Sequence, residues 1–98
     1  MNRNTNGKNS EIEMISNAIY NLKSESGICN FLLEILTKSE VETLSKRWRI
    51  LTMLSEGKTQ REIAQDLKVS LCKVTRGAKI LKNNKSVVTK YLIKEKRW

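Results

Sequence analysis

The stretch TQREIAQDLKVSLCKVTRG, residues 59–77, carries the apolar spacing of two short helices joined by a tight turn. Ile63 and Leu67 recur at helical spacing in the first segment, and Val74 is placed to anchor the second. Ala64 is small at the point where two crossed helices approach closely. The pattern therefore predicts a helix-turn-helix.

Capping residues set the limits of this motif. Thr59 and Glu62 have the spacing of a capping box, and Ser70 is a favourable N-cap for a second helix. Lys68 stands in the turn where glycine commonly adopts a left-handed conformation, which makes it a moderately unfavourable residue there. We expect the helix-turn-helix to cover about residues 59–82.

The second helix of the motif presents a polar, basic face. Gln60 and Arg61 lie at the start of the first helix, where free backbone N–H groups and a cationic side chain suit a phosphate. A helix-turn-helix with such a face is typical of proteins that read double-stranded DNA. The predicted DNA contacts are Gln60, Arg61, Leu71, Cys72, Lys73, Thr75, Arg76, Lys79 and Lys82.

The N-terminal part of the chain divides into a tail and an amphipathic helix. Residues 1–10 are polar and predict a disordered tail, followed by a single helical DNA-binding domain over residues 11–98. Apolar residues at helical spacing between Ile12 and Leu22 predict the first helix of that domain. We expect Gly27 to break this helix.

Two more helices flank the motif. Thr37-Lys38-Ser39-Glu40 forms a capping box that begins a long helix, and Gly57 is suited to end it. Residues 86–96 read as a last helix, for which the predicted inner side consists of Val87, Tyr91 and the stem of Lys94. Together the segments predict an all-α domain of six helices.

The segment ICNFLLEIL, residues 28–36, is apolar almost all round. A helix without a polar face must be covered on several sides, and a chain of 98 residues has little with which to cover it. We expect a second copy of the protein to supply part of the cover. The alternative is a central helix in a monomer.

Charge is distributed unevenly along the chain. The formal net charge is +9; residues 1–40 carry a net −1 and residues 41–98 a net +10. Such asymmetry indicates a polyanionic partner for the C-terminal half, although a solvated lysine-rich surface has the same composition. Cys29 and Cys72 form no CxxC pair, and the chain has no long apolar run, which predicts a reduced cytoplasmic protein with no membrane association.

The usual constellations of an enzyme are missing from the sequence. The chain contains no histidine, and neither paired carboxylates nor a nucleophile with a base can be recognised. Gly57-Lys58-Thr59 resembles the end of a phosphate-binding loop, but the first glycine of that loop would fall at residue 52, which is threonine. We therefore predict a protein that is not an enzyme and has no metal or cofactor.

The segments QREIAQDL and VTRGAKILK resemble the helix-turn-helix of the tryptophan repressor family, in which Q-R-E and T-R-G-x-x-x-L-K recur. Leu36-Thr37 and Arg47-Trp48-Arg49-Ile50 fit the L-T and R-x-R-I that precede them in the family. The resemblance covers about residues 28–83. It implies an intertwined all-helical homodimer that binds operator DNA of tryptophan biosynthesis or uptake genes when L-tryptophan is bound.

The same resemblance implies a site for L-tryptophan. Arg47 and Arg76 correspond to two arginines that sandwich the indole ring, and Gly77 to the glycine that lets the ring approach the helix. Backbone carbonyls of the other subunit that hold the ammonium group correspond to Glu34, Leu36 and Thr37. Ile80 stands where the best-known members have a serine that helps to hold this ammonium group. The implied ligand-binding residues are Arg47, Arg76, Gly77, Thr37, Leu36 and Ile80.

Three functional alternatives stay open at this point. The first is a tryptophan-dependent repressor, and the second is a regulator of the same fold that uses no ligand or a different one. The third is a basic helical module that binds a protein partner or an anionic surface. Gly77 likewise has two explanations, because a glycine within a helix either accommodates a ligand ring or permits close helix packing.

Overall fold

The computed structural model describes residues 10–96, with the side chains of residues 94–96 left out of the description. Six α-helices and no strand occupy this range, so the predicted all-α class is confirmed. The helices are α1 Ser10–Leu22, α2 Glu25–Ile35, α3 Lys38–Ser55, α4 Gln60–Leu67, α5 Leu71–Lys82 and α6 Val87–Lys96. Residues 1–9 of the predicted tail lie outside the described residues, and Ser10 already belongs to α1. Within the described range, no helix combines the length and apolarity that crossing a membrane requires.

Contacts divide the chain into two units, Met1–Val41 and Glu42–Trp98. The first unit contains α1, α2 and the start of α3, and α1 packs against α2. None of residues 10–41 is buried, although α1 and α2 are rich in apolar side chains. The large apolar side chains exposed in this unit are Ile12, Met14, Ile15, Tyr20, Leu22, Leu33 and Ile35.

The break between α1 and α2 comes earlier than Gly27, so this prediction was wrong. Lys23 follows α1 with a φ of 52°, and Ser24 then adopts an extended conformation as the N-cap of α2. The backbone N–H of Gly27 donates to Ser24 Oγ at 3.0 Å, which places the glycine inside the first turn of α2. A capping hydroxyl that receives a free backbone N–H starts a new helix, and it determined the boundary here.

The predicted ends of α3 are confirmed. At its start, the Thr37 N–H donates to Glu40 Oε1 at 2.8 Å, and the Glu40 N–H donates to Thr37 Oγ1 at 3.1 Å. At its end, Gly57 takes a φ of 94°, a left-handed conformation that glycine adopts without steric cost. The Lys58 N–H then donates back to the carbonyl of Met53 at 3.1 Å, which is the closing bond of a Schellman motif.

The second unit has its own core. Ile50 of α3, Ile63 and Leu67 of α4 and Val74 of α5 form one buried cluster, in which Ile63 and Val74 are 0% exposed. Partly buried apolar side chains that pack against the cluster are Met53, Leu54, Ala64 and Val69. The apolar skeleton predicted from residues 59–77 is therefore the centre of this unit.

The turn between α4 and α5 is closed by a strained residue. Lys68 has φ 57° and ψ 48°, the left-handed conformation that the sequence pattern assigns to a glycine. The Val69 N–H donates to the carbonyl of Ala64 at 3.1 Å, and Ser70 then caps α5. A non-glycine residue is thus held in a conformation that costs about 1 kcal/mol because the flanking helices are both anchored in the core.

The inner side of α6 differs from the prediction. Val87 is 81% exposed and Tyr91 is 51% exposed, whereas Thr89 and Leu92 are buried. Tyr91 lies beside the ring of Trp48, with the two ring centroids 6.1 Å apart. The side chain of Lys94, the third predicted inner residue, lies outside the described residues.

A polar residue occupies the inner side of α6 because it has a hydrogen-bond partner there. Thr89 Oγ1 donates at 2.9 Å to the carbonyl of Ile80 near the end of α5, which also accepts the N–H of the C-cap residue Asn83. A buried hydroxyl with such a partner is not penalised, so apolarity alone does not identify the inner face. This contact attaches α6 to the end of the predicted recognition helix.

Candidate DNA-binding face and ligand cavity

Helix α5 has one buried side and one exposed side. Ser70 caps it by accepting the Lys73 N–H at 3.3 Å, and Val74 and Gly77 are buried against the rest of the unit. The exposed residues coincide with the predicted outward face, namely Leu71, Cys72, Lys73, Thr75, Arg76 and Lys79. Lys82, in the last turn, is exposed as well. This is the geometry that a helix requires to enter a DNA groove, and the contacts themselves stay a prediction.

The start of α4 is organised by its capping box. The Glu62 N–H donates to Thr59 Oγ1 at 3.1 Å, and the Thr59 N–H donates to Glu62 Oε1 at 3.0 Å. The backbone hydrogen bond from Thr59 lowers the pKa of Glu62 below its ordinary value, with a smaller contribution from the Thr59 hydroxyl. The box leaves the first backbone N–H groups of α4, at Gln60 and Arg61, without partners inside the helix and suited to an anion.

A side-chain hydrogen bond joins α4 to α5 on the predicted DNA face. Thr75 Oγ1 donates to Gln60 Oε1 at 3.1 Å. Because the hydroxyl donates to the oxygen of the Gln60 amide, the NH₂ group of this amide stays available as a hydrogen-bond donor. Two of the predicted DNA contacts are therefore fixed relative to each other before any ligand is bound.

A cavity of about 210 Å³ lies behind the exposed face of α5. Its lining residues are Arg47, Ile50, Leu51, Lys73, Arg76, Gly77 and Ile80. The structure thus brings together four of the residues predicted to bind L-tryptophan, namely Arg47, Arg76, Gly77 and Ile80. Leu36 and Thr37, at the junction of α2 and α3, belong to the first unit, and their role stays a prediction.

Lys73 is the lining residue that the sequence had assigned only to DNA. Positions 73, 76, 77 and 80 share one face of a helix, because residues separated by three, four and seven positions lie on the same side. This spacing was the available signal. The resemblance to the family implies only Arg76, Gly77 and Ile80 of this face as ligand-binding residues, and Lys73 carries no such correspondence.

Gly77 of α5 lies against side chains of α3. A Cβ atom added to it would lie 2.9 Å from Cγ2 of Ile50, 3.4 Å from Cδ1 of Leu54 and 3.6 Å from Cδ2 of Leu51. Ile50 is itself buried and has little room to move. Close helix packing therefore requires glycine at this position, and the same residue also forms part of the cavity wall.

The cavity is apolar at its base and cationic at its rim. Ile50, Leu51 and Gly77 are buried, whereas Arg47, Lys73 and Arg76 are exposed. Neither a carboxylate nor a hydroxyl occurs among the lining side chains. Among the residues that the structure describes, no group of three or more potential metal ligands is found.

A shallower groove runs along the other side of α5. The residues that line it are Leu71, Cys72, Thr75, Arg76 and Lys79, all of which belong to the predicted DNA contacts. Arg76 lines both the groove and the cavity. A ligand in the cavity and a phosphate at the groove would therefore meet at the same guanidinium group.

Comparison with known proteins identifies similar chains. A family model described as Trp repressor protein matches residues 10–96. A Trp operon repressor homolog of Xylella fastidiosa (strain M23) is 49% identical over 51 residues, which are 51% of this chain and 55% of that relative, so the alignment spans about half of each protein. A Trp operon repressor homolog of Chlamydia caviae is 36% identical over 80 residues, 81% of this chain and 75% of that relative. No solved structure matches the chain.

Proposed function

This chain belongs to the Trp repressor protein family, and we propose that it represses transcription by binding operator DNA when L-tryptophan occupies the cavity behind α5. One observation carries the proposal. The exposed face of α5 and the apolar, cationic cavity share Arg76, so a ligand and DNA act on one helix. The family is one of regulatory DNA-binding proteins rather than enzymes.

In this proposal α5 enters the major groove of the DNA, and the N-terminal end of α4 lies against the DNA phosphate backbone. Cationic and amide side chains at the edges of the face contact phosphates, while residues at the start of α5 reach base edges. The proposed DNA contacts are Gln60, Arg61, Leu71, Cys72, Lys73, Thr75, Arg76, Lys79 and Lys82. Because most of these contacts are with phosphates, affinity should fall steeply as salt is raised.

The proposed ligand position follows the cavity. The indole ring lies between the guanidinium groups of Arg47 and Arg76 and against Gly77, and its carboxylate pairs with Arg76. Ile80 supplies an apolar contact. By resemblance to the family, the carbonyl groups of Glu34, Leu36 and Thr37 in a second copy of the chain receive the ammonium group.

The mechanism is one of linkage between two binding events. A ligand that braces α5 favours the orientation in which both recognition helices of a dimer match successive major grooves. Tryptophan then raises the affinity for DNA, and DNA raises the affinity for tryptophan by the same factor. The genes that such a repressor controls would be those of tryptophan biosynthesis or uptake.

A homodimer is part of the proposal. Helices α1 and α2 bury no residue in the single chain, and side chains such as Met14, Leu33 and Ile35 are more than half exposed. Because each of them is already partly covered, burying its remaining exposed surface in a partner chain stabilises a dimer by about 1–2 kcal/mol. Cys29 and Cys72 are free thiols, consistent with the reduced cytoplasm in which a DNA-bound repressor acts.

The test begins with selection of duplexes from a random-sequence library by the full chain, with and without L-tryptophan. The enriched duplex and a scrambled one are then titrated by fluorescence anisotropy at several salt concentrations. We expect one enriched sequence, preference of at least about a hundredfold over the scrambled duplex, and tighter binding with L-tryptophan. Equal affinity for both duplexes at moderate salt would instead favour a basic module that binds a protein or an anionic surface.

A second candidate function is a regulator of the same family that works without tryptophan. It is favoured by Gly77, which the packing against Ile50 already explains, and by Ile80, which offers the ligand no hydroxyl. Isothermal titration calorimetry with L-tryptophan separates the two, because the fluorescence of Trp48 and Trp98 overlaps with that of the ligand. The tryptophan-dependent repressor is supported if the original chain and Lys90→Ala show saturable heat of binding and Arg76→Ala shows none. The tryptophan-independent regulator is supported if no chain shows heat of binding while the original chain binds DNA sequence-specifically.

A further inference from the structure

The start of α5 carries an exposed apolar side chain on the proposed DNA face. Leu71 is the first residue of the helix and is 50% exposed, whereas the helix packs inward through Val74 and Gly77. A single exposed leucine is common on a protein surface. Leu71, however, lines the groove along α5, which consists entirely of residues proposed to contact DNA. Its apolar surface is therefore available to the base pairs that the helix meets.

The residues beside Leu71 offer few free hydrogen-bonding groups. The thiol of Cys72 is a weak donor. The Thr75 hydroxyl lies one helical turn further along and donates to Gln60 Oε1 at 3.1 Å, so its proton is already engaged and only its acceptor capacity is left. Hydrogen bonds to base edges need free donors and acceptors, whereas the apolar group that a base pair presents in the major groove is the C5-methyl group of thymine. This end of the groove therefore matches a thymine methyl group better than a polar base edge.

The other end of the groove is cationic and matches the DNA backbone. Arg76 and Lys79 are exposed and follow Leu71 by five and eight residues. This spacing corresponds to about 7.5 and 12 Å along the helix axis, and the major groove is about 8.5 Å deep and about 12 Å wide. A helix that places its start at the base pairs therefore brings both cations to the phosphates at the edge of the groove. The distribution of charge favours DNA as the occupant, with Leu71 at the bases.

We propose that Leu71 is a specificity-determining residue that recognises a thymine of the operator through its C5-methyl group in the major groove. The inference rests on the proposed function, namely that α5 enters the major groove of operator DNA. It deepens that function because it names one base of the operator and the group of that base which is read. Contact between the methyl group and Leu71 removes apolar surface of both from water, which favours thymine over the other bases at this position.

The methyl group of a thymine can be removed without changing the hydrogen bonds of its base pair. Each thymine of the duplex selected by the full chain is replaced in turn by deoxyuridine, and affinity is measured by fluorescence anisotropy in the presence of L-tryptophan. We expect at least one position at which the replacement weakens binding about fourfold, which corresponds to about 0.8 kcal/mol for one buried methyl group. If no replacement weakens binding, the proposal is overturned.

Substitutions of Leu71 test whether this residue reads the methyl group. In Leu71→Ala, the affinities for the thymine duplex and the uracil duplex should become nearly equal, because the apolar contact is gone. Leu71→Met keeps an apolar side chain of similar volume and should retain most of the difference. Val87→Ala truncates an apolar residue of α6 that is 81% exposed and lies outside the groove, so it is the matched control and should leave the difference unchanged. An undiminished difference in Leu71→Ala would overturn the role of Leu71.

The same titrations separate this inference from the proposed function. If the chain binds the selected duplex specifically but its affinity does not depend on a thymine methyl group through Leu71, the inference fails and the proposed repressor stands. If the methyl contact through Leu71 is found but L-tryptophan leaves the affinity unchanged, the inference stands and the corepressor mechanism fails. If the chain binds all duplexes equally, the inference fails together with the proposed recognition of operator DNA.

Discussion

The two units of this chain use apolar residues in opposite ways. In Glu42–Trp98, Ile63 and Val74 are removed from solvent altogether and anchor α4 and α5 around one cluster. In Met1–Val41, α1 and α2 are also apolar, yet no described residue of that unit is buried. The content of apolar residues in a helix therefore does not tell whether that helix belongs to a core or presents an exposed apolar surface.

The difference has a physical reason. The core of the second unit is built by three helices that cross one another, so each apolar side chain is enclosed from several directions. Within their unit, helices α1 and α2 have each other and only the first turn of α3, and two helices enclose one face at most. A second copy of the chain is the cover that we propose for the first unit.

The largest effect should come from removing a core side chain. Ile63→Ala should lower the free energy of unfolding by about 2–5 kcal/mol, since it deletes a wholly buried side chain and leaves a cavity. Chemical denaturation monitored by circular dichroism measures this loss. The matched substitution Ile35→Ala, at a residue that is 54% exposed in the single chain, tests the comparison between units.

The outcome for Ile35→Ala depends on the dimer. We expect a loss that is small at low protein concentration, where the chain is monomeric and Ile35 is exposed in either case, and that grows as the concentration rises and the dimer forms, because mass action couples folding to association. Sedimentation equilibrium on the same samples should show weaker association. A loss that is equally large at all concentrations, with no change in association, would contradict the proposed cover.

Gly77→Ala tests how closely the second unit is packed. Alanine improves helix propensity by about 1 kcal/mol, whereas a Cβ atom 2.9 Å from Ile50 Cγ2 overpacks a buried site. Overpacking costs about 1–3 kcal/mol, so we expect a net loss of about 1 kcal/mol in the unliganded protein. An increase in thermal stability would instead mean that Ile50 yields easily and that the glycine is kept for a ligand.

Thr89→Val tests the buried hydrogen bond between Thr89 and the Ile80 carbonyl, which the apolar pattern of the second unit did not predict. The substitution keeps the shape of the side chain but removes the donor to the Ile80 carbonyl, at a cost of about 1 kcal/mol. The Asn83 N–H continues to donate to this carbonyl, so it is not left without a partner. Urea denaturation measures the change, and Thr89→Ser, which retains the hydroxyl, is the control.

Lys68→Gly should act in the opposite direction. Glycine adopts the left-handed conformation of Lys68 without the steric cost of a Cβ atom, so we expect a gain of up to about 1 kcal/mol. The greater backbone entropy of glycine in the unfolded chain reduces this gain. Thermal denaturation checks it, and a decrease in melting temperature would show that the side chain of Lys68 contributes more than its backbone costs.

The smallest effect concerns pH. The folded-state pKa of Glu62 is lowered, chiefly by the hydrogen bond from the Thr59 backbone, so the capping box stabilises α4 fully above the ordinary pKa of glutamate. That contribution is lost as the pH falls through the lowered pKa. In a denaturation series on the acid side of neutrality, Glu62→Gln should lose less stability than the original chain, and parallel pH profiles would argue against this role.

Much of the fold could be read from local patterns. The six helices, the two capping boxes, the glycine that ends α3 and the left-handed Lys68 all depend on hydrogen bonds or dihedral angles within a few residues. Membership of the Trp repressor family was predicted from the short T-R-G motif and its flanking residues. The family match over residues 10–96 confirms it. Short motifs can be predicted from sequence because the contacts that fix their geometry lie within a few residues of one another.

The failures occurred where a competing cap or a distant partner decided the outcome. The N-cap Ser24, and not Gly27, marks the boundary between the first two helices. On α6, Thr89 is buried where Val87 was expected, because its hydroxyl donates to a carbonyl of α5. The addition of Lys73 to the cavity required knowing which face of α5 turns toward α3. The position of this boundary, the burial of Thr89 and the face of α5 that meets α3 cannot be predicted from the identity of the residues alone.

The sequence by itself determined the helices, their caps, the polar face of α5 and the family, because periodicity, capping and short motifs act over a single turn or two. Only the tertiary structure decided that Gly77 meets Ile50, that Arg47, Lys73 and Arg76 surround one cavity, and that α1 and α2 stay uncovered within their unit. Such outcomes depend on which surfaces of distant segments meet. That is set by the packing of whole helices, and no local pattern encodes it.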